Sequence, residues 1–236
     1  MHNIIVTTSW DDGHVLDQKL ASLLRRYALS GTFYISPEDK ELSPNERLTP
    51  EQVAKLSEDF EIGAHTMTHP RLSQVSDEVA KKEIVESKRV LERWIGKSVT
   101  SFCYPGGEYR PKHIAMVREA GFTLARTVKR FATDLSKDPL ILPTTVHAYR
   151  HWSDIFPILK FARYSPAQFI SYYFNWDALA MAQFDRVCQT GGVFHLWGHS
   201  WEIEHDGDWE RLENVLRHIA KKDHIMYRTN GQLYDI

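Results

Sequence analysis

The sequence predicts an α/β protein in which a parallel sheet or barrel carries helices on its outside. Two observations carry this. Short β-branched runs alternate with stretches whose apolar residues recur at helical spacing. Acids, histidines and glycines cluster just after the strands, at the end where such sheets bind ligands. The chain has 236 residues, 42% of them hydrophobic and 25% charged, enough to bury a full core without disulfides. With no repeat, low-complexity tract or linker, one domain over 1–236 is the economical organisation.

The first element, IIVTTSW (4–10), reads as a buried strand. The helix that follows, VLDQKLASLLRRYALS, puts Leu16, Leu20, Leu23, Leu24 and Tyr27 on one stripe and stops at Ser30-Gly31. GTFYIS is a second strand. Thr49-Pro50-Glu51-Gln52 is a capping box with proline at the first helical position, and opens a short helix through Leu56. FEIGAH is the third strand. Ser76 caps a long charged helix ending at Gly96, expected to be a solvated face with pairs such as Glu78–Lys82. VTSFCY, PKHIAMVREA and TLARTV continue as strand, helix and strand. GGVFHLWGH, ERLENVLRHIAKK and HIMYRT repeat the pattern near the C-terminus, with His205-Asp206-Gly207-Asp208 read as a turn plus helix cap. Residues 143–178, rich in His, Tyr, Trp and Phe, break the alternation and read as a loop with short helices.

Composition excludes several classes. A net charge of −2 without a basic block argues against a general nucleic-acid or anionic-membrane binder, and no apolar run approaches the ~20 residues of a transmembrane span. The start, MHNIIVTTSW, has neither a basic n-region nor a long apolar h-region, so a cytoplasmic location is expected. Two cysteines, Cys103 and Cys188, are read as reduced thiols rather than a bridge. Twelve histidines are about double ordinary usage, and histidine is the commonest metal ligand.

Four segments carry candidate chemistry. Asp11-Asp12-Gly13 follows the first strand directly. Adjacent carboxylates repel and call for a metal or a shared proton, although an Asp-Gly turn capping the next helix fits the same residues. His65 and His69, four apart after the third strand, can grip one ion or be surface residues, and Pro70 restricts them to a single turn or loop. Tyr104-Pro105-Gly106-Gly107 makes a tight turn with backbone N–H groups of the kind an oxyanion site uses, or an ordinary type II turn. His195, Trp197 and His199 fall on one side of a strand. Of these, His199 lies at the chemical end and His195 sits deeper, as a core histidine would.

In order and spacing, from about Thr7 to Trp201, these segments resemble the NodB-homology polysaccharide deacetylases, carbohydrate esterase family 4. SWDDG stands where that family has T-F-D-D-G, and HTMTH matches its H-[ST]-x-x-[HD] metal motif. FCYPGG stands at the R-x-P-Y-G segment, and HSWE is similar to the H-P-W-E of relatives acting on exopolysaccharides. The resemblance implies a distorted, incomplete (β/α)7-type barrel and metal-dependent N-deacetylation of an amino sugar in a poly- or oligosaccharide. Asp12, His65 and His69 would hold a divalent ion, with zinc expected, leaving open positions for water and the acetyl oxygen. Asp11 would be the general base and His199 the general acid. The Gly106 N–H would stabilise the oxyanion, with Tyr104, Pro105, Trp197 and Trp201 as further substrate contacts.

One departure stands out. The family often has an arginine at the Cys103 position, paired with the base aspartate. Arg126 on the next strand is the candidate replacement, with a surface arginine as the alternative, and Cys103 reads as a small buried hydrophobe. The family's tryptophan-containing fourth motif has no clear counterpart, and His147, His151 and Trp152 are candidates for a substrate rim. Two other readings compete. A metal-independent carbon–nitrogen hydrolase on the same fold is disfavoured by the presence of both His65 and His69. A catalytically silent carbohydrate-binding homologue is disfavoured by the presence of Asp11, Asp12 and His199.

Overall fold

The central strand, β1 (Ile4–Trp10), is buried along nearly all its length, as a two-faced strand inside a parallel sheet must be. The computed structural model describes residues 3–235, so the first two residues and the last of the predicted 1–236 unit lie outside it. After β1 come α1 (Asp17–Tyr27), β2 (Thr32–Ile35), α2 (Pro50–Leu56), β3 (Glu61–Ala64), α3 (Asp77–Ile95), β4 (Ser101–Cys103), α4 (Pro111–Glu119) and β5 (Leu124–Arg126). The second half contains β6 (Val146–His147), α5 (Ile155–Phe161), α6 (Pro166–Phe174), α7 (Trp176–Thr190), β7 (Gly192–Gly198), α8 (Ser200–Asp206), α9 (Trp209–Ile219) and β8 (Ile225–Tyr227).

Local chemistry explains several boundaries. Thr49 accepts from the Gln52 N–H and the Gln52 side chain returns the bond, so the predicted capping box opens α2. Ser76 caps α3 and left-handed Gly96 closes it. The turn expected at 205–208 is narrower than predicted: His205 and Asp206 belong to α8, left-handed Gly207 ends it, and Asp208 precedes α9 without capping it, its carboxylate accepting from Trp176 Nε1 instead. Segment 143–178 is more ordered than expected: it contains β6, α5, α6 and the start of the fifteen-residue α7. The short helices α5 and α6 are those expected, and the additions are the strand β6 and the long α7. On α3 the expected Glu78–Lys82 pair is replaced by Lys88–Glu92 at 2.9 Å and by a Lys112–Asp77 bridge from α4.

All strand pairings are parallel, in the order β5-β4-β3-β2-β1-β7-β6. β8 also pairs with β1, through Ile4–Val6, whereas β2 meets β1 only at Ser9 and Trp10. β8 therefore fills the lower half of the gap that opens as β1 and β2 splay. The sheet curls. Ile5 of β1, Leu124 of β5 and Val193 of β7 belong to one apolar cluster with Leu142 and Leu233, which strands four places apart could not share in a flat sheet. Between the β5 and β6 edges the ladder is irregular. Thr127 N–H donates to the Leu142 carbonyl and Phe131 N–H to that of Thr145. The result is a distorted, incomplete (β/α)7 barrel of the kind the sequence implied.

The main core lies between the outer face of the sheet and the helices, where α1 buries Leu20 and Leu24 and α9 buries Leu212, Val215, Leu216 and Ile219. Inside, β3 passes close to Tyr34: a Cβ added at Gly63 would lie 2.4 Å from the ring. Gly63→Ala should therefore destabilise the fold by about 1–3 kcal/mol through overpacking, read from the urea midpoint. An unchanged midpoint would mean that Tyr34 moves aside freely.

Candidate active site

The C-terminal ends of the strands bring together Asp11 and Asp12 after β1, His65 after β3, Arg126 at the end of β5, His147 at the end of β6 and His199 after β7. The turn after β1 holds its shape through backbone conformation. Asp12 and Gly13 both have positive φ, 80° and 77°, and a Cβ at Gly13 would meet the Ile35 side chain at 2.8 Å. Only glycine fits there.

Each aspartate has one carboxylate oxygen engaged and one free. Asp11 Oδ2 accepts from Arg126 Nη2, in a pair buried on both sides, and its Oδ1 is buried without a partner. Asp12 Oδ2 accepts from Trp201 Nε1 at 2.8 Å, and its Oδ1 is likewise buried and unpartnered. The free Asp12 oxygen lies 3.7 Å from His65 Nε2 and 3.4 Å from His69 Nε2. His65 Nδ1 sits 2.8 Å from the Cys103 carbonyl oxygen, an atom that only accepts, so Nδ1 carries the proton. Burial is the main cause that lowers the His65 pKa, to about 4. The ring is therefore neutral at pH 7 and its Nε2 lone pair faces a carboxylate oxygen. Two acceptors so placed can share a cation, and the Asp12, His65 and His69 ligand atoms all fall within 4.8 Å of one another. A carboxylate and two imidazoles suit a zinc-type ion with open positions. These three residues fit a divalent ion.

The histidine loop is not a helical turn. Thr66 and His69 both adopt positive φ, 64° and 62°, and the loop is fastened from outside. Glu83 of α3 accepts from the backbone N–H groups of Met67 and Thr68 and from the Thr68 hydroxyl, each at 2.8 Å. On its outer side His69 Nδ1 faces Glu41 at 3.3 Å and Asp39 at 3.9 Å.

Arg126 is fully buried. Register pairs it with Cys103 across β4 and β5, its Nη2 also reaches Cys103 Sγ at 2.9 Å, and its guanidinium lies over the Trp197 ring at 4.5 Å. The surface alternative for this arginine is thereby excluded. Burial opposes ionisation of Asp11, but Arg126, His65 and His199 outweigh it and bring its pKa down to about 2. Burial pushes the Cys103 thiol well up, so it stays protonated as a small buried side chain. Cys103 and Cys188 are both unbridged.

His199 precedes α8, with Nε2 4.0 Å from Asp11 Oδ2 and 3.9 Å from Asp12 Oδ2. Its Nδ1 is hydrogen-bonded to Glu202. Burial lowers the His199 pKa, but Asp12, Glu202 and Asp11 prevail and raise it to about 9. Glu202 is also 3.1 Å from His147 Nε2, and His147 Nδ1 lies 2.5 Å from His151 Nε2. His147 is a buried neighbour of His199 rather than a rim residue, while Trp152 is exposed. His195 is the core histidine expected, with Nε2 2.8 Å from Ser9 Oγ.

The predicted substrate contacts separate. Gly106, exposed and at φ 59°, is the accessible residue of its turn. Pro105 and Tyr104 are buried, and the Tyr104 hydroxyl donates to the Leu140 carbonyl at 3.1 Å, so this side chain points away from substrate. Trp197 takes a different place from the sugar platform expected of it. It is 4% exposed, and His147 stacks on it at 3.8 Å. Of these two tryptophans Trp201, 38% exposed, is the one with open surface.

Two carboxylates escape sequence reasoning. Glu202 stands three residues after His199, the spacing that meets on one helical turn, and that signal was available. Glu83 has a fainter one: it borders the buried stripe Ala80, Ile84, Ser87 and Leu91 of α3.

A polysaccharide deacetylase family model matches residues 2–125. A peptidoglycan-N-acetylglucosamine deacetylase of Bacillus cereus is 32% identical over 120 residues, 50% of this chain and 54% of that protein. A second of the same description and organism is 26% identical over 123 residues, 51% and 43% of the two chains. The chain thus spans about half the length of the curated relatives it matches. Among solved structures, the Bc1960 peptidoglycan N-acetylglucosamine deacetylase has a TM-score of 0.60 at 17% identity, covering 99% of this chain and 94% of that one. The Xyl-CE4 domain of a multidomain xylanase from the hindgut metagenome of Trinervitermes trinervoides has a TM-score of 0.60 at 12% identity, with 99% and 90% covered. These structural likenesses show the fold, and with the family model they lead to one assignment: the chain belongs to the polysaccharide deacetylase family.

Proposed function

We propose that the protein is a metal-dependent hydrolase that removes the acetyl group from an N-acetylated amino sugar in a poly- or oligosaccharide. The observation that carries this reading is the pair of free aspartate oxygens. Asp12 Oδ1 faces two imidazole nitrogens, and Oδ1 of the adjacent residue Asp11 is likewise buried with no partner. Family membership supports the deacetylase class.

Asp12, His65 and His69 would hold the ion. When bound, a divalent cation there supplies Lewis-acid polarisation of the acetyl carbonyl and makes a neighbouring water more acidic. Asp11 takes the proton from the attacking water at its free Oδ1, while Arg126 holds Oδ2 and fixes the carboxylate's direction. Water oxygen bonds to the acetyl carbon, and the Gly106 N–H stabilises the oxyanion that develops. As the C–N bond breaks, His199 Nε2 delivers a proton to the leaving amine. Glu202 keeps the His199 ring oriented by accepting from Nδ1–H, so that Nε2 faces the reacting groups. The products are acetate and the free amino sugar.

Acetate release from N-acetylglucosamine oligomers should vanish on chelation and return with added zinc. His65→Ala should lose bound metal by elemental analysis. Unchanged hydrolysis after exhaustive chelation would favour a metal-independent carbon–nitrogen hydrolase instead. Asp11→Asn should keep the metal and lower kcat by about 10²–10⁴-fold. Glu202→Gln should lower kcat by about 10–10³-fold with metal content unchanged, and full activity in either variant would remove that residue's role. Arg126→Met leaves a buried carboxylate unpaired and should cost about 3–5 kcal/mol in urea unfolding.

A further inference from the structure

We propose that the face formed by residues 149–174 docks onto an anionic lipid bilayer. The first observation is an apolar helix with nothing on top of it. α6, PAQFISYYF, has no charged residue and none that is fully buried. Seven of the nine large apolar residues exposed among the described residues fall between Tyr149 and Phe174, with Trp152 and Phe156 each 80% exposed. So many exposed large apolar side chains on one short segment mark a candidate interaction site.

The second observation is charge. The exposed ionic residues of this segment, Arg150, Lys160 and Arg163, are all cations. Its one acid, Asp154, is buried and paired with Arg130 at 2.6 Å. The chain as a whole carries −2, so this face opposes the overall balance. Arg150 lies over the rings of Tyr173 and Phe174 at 5.7 and 5.6 Å and joins the loop after β6 to the end of α6. Beside Phe156 a cavity of about 570 Å³ opens, lined by Phe131 and Phe161 and carrying Lys160 and Arg186. An acyl chain suits its walls and a phosphate suits the two cations.

Aromatic side chains beside arginine and lysine, with no exposed acid within the segment and Asp206 and Asp208 bordering only its Arg150 end, match the water–lipid interface of an anionic membrane. A second copy of the chain fits less well, because a two-fold contact would set these cations against their own equivalents. Among the described residues no helix is long and apolar enough to cross a bilayer, so the contact is peripheral. Docking needs no turnover and is independent of the reaction proposed above.

The test is co-sedimentation of the intact protein with phosphatidylcholine vesicles, with and without phosphatidylglycerol. Binding should be about tenfold tighter or more with the anionic lipid. Phe156→Asp with Ile170→Asp, and separately Lys160→Glu with Arg163→Glu, should each weaken it about tenfold or more. Val79→Asp, at an exposed apolar residue of α3, should bind as the parent does. All these side chains are exposed, and circular dichroism melting verifies that each variant is folded. No sedimentation with anionic vesicles, or equal binding by the Phe156/Ile170 variant, overturns the proposal. So does a concentration-dependent dimer that Phe156→Asp abolishes in a protein that ignores vesicles.

Discussion

Two carboxylates one peptide bond apart, both buried, are the constraint around which this barrel is arranged. At an effective dielectric of about 20, two unit charges ~5 Å apart repel by ~3 kcal/mol, and neither Asp11 nor Asp12 can shed its charge into solvent. The structure answers by giving each its own partner from a different part of the fold. Arg126 comes to Asp11 from β5, four strands away from β1 in the sheet order. Trp201 comes to Asp12 from α8, beyond β7. Trp201 follows the strand next to β1 and reaches Asp12 directly, but Arg126 could not reach Asp11 in a flat sheet. The curl of the barrel and the charge balance of the site are thus one problem with one solution.

The division of labour between the two aspartates follows from those partners. A guanidinium beside Asp11 keeps it ionised and holds one oxygen, leaving the other buried and without a hydrogen-bond partner. An indole N–H beside Asp12 adds no charge and leaves that carboxylate's negative charge available to a cation. The same logic extends outward. The Cys103 carbonyl sets the His65 tautomer, Glu202 sets the ring of His199, and Glu83 anchors the backbone between the two histidines. None of these three needs to touch substrate to matter.

Much of this was legible in the chain, and the reason is locality. The strand followed by Asp-Asp-Gly, the His-x-x-x-His spacing, the capping box at Thr49 and the glycine stop at Gly96 are decided within a few residues. Their structural outcomes match the local reading. What was not legible depends on long-range geometry. The insertion of β8 beneath β1, the strand β6 and long helix α7 in and after 143–178, and the clasp of Glu83 all come from packing between distant segments. Trp197 illustrates the limit: its alternation with His195 and His199 placed it on the correct strand, but period alone could not tell that His147 and Arg126 would pack against its ring. The same holds for Tyr104, whose hydroxyl is used inside the core.

Arg126 carries a wider consequence. Its cation pairs with Asp11 from a neighbouring strand, one register step sideways from the cysteine that stands where the family resemblance would put an arginine. A comparison that scores proteins column by column would record a lost catalytic charge here and file the chain among inactive homologues. A comparison in space would find the charge present, merely re-rooted. For this fold, the inventory to compare between members is the set of groups that reach the two aspartates, whichever strand they grow from.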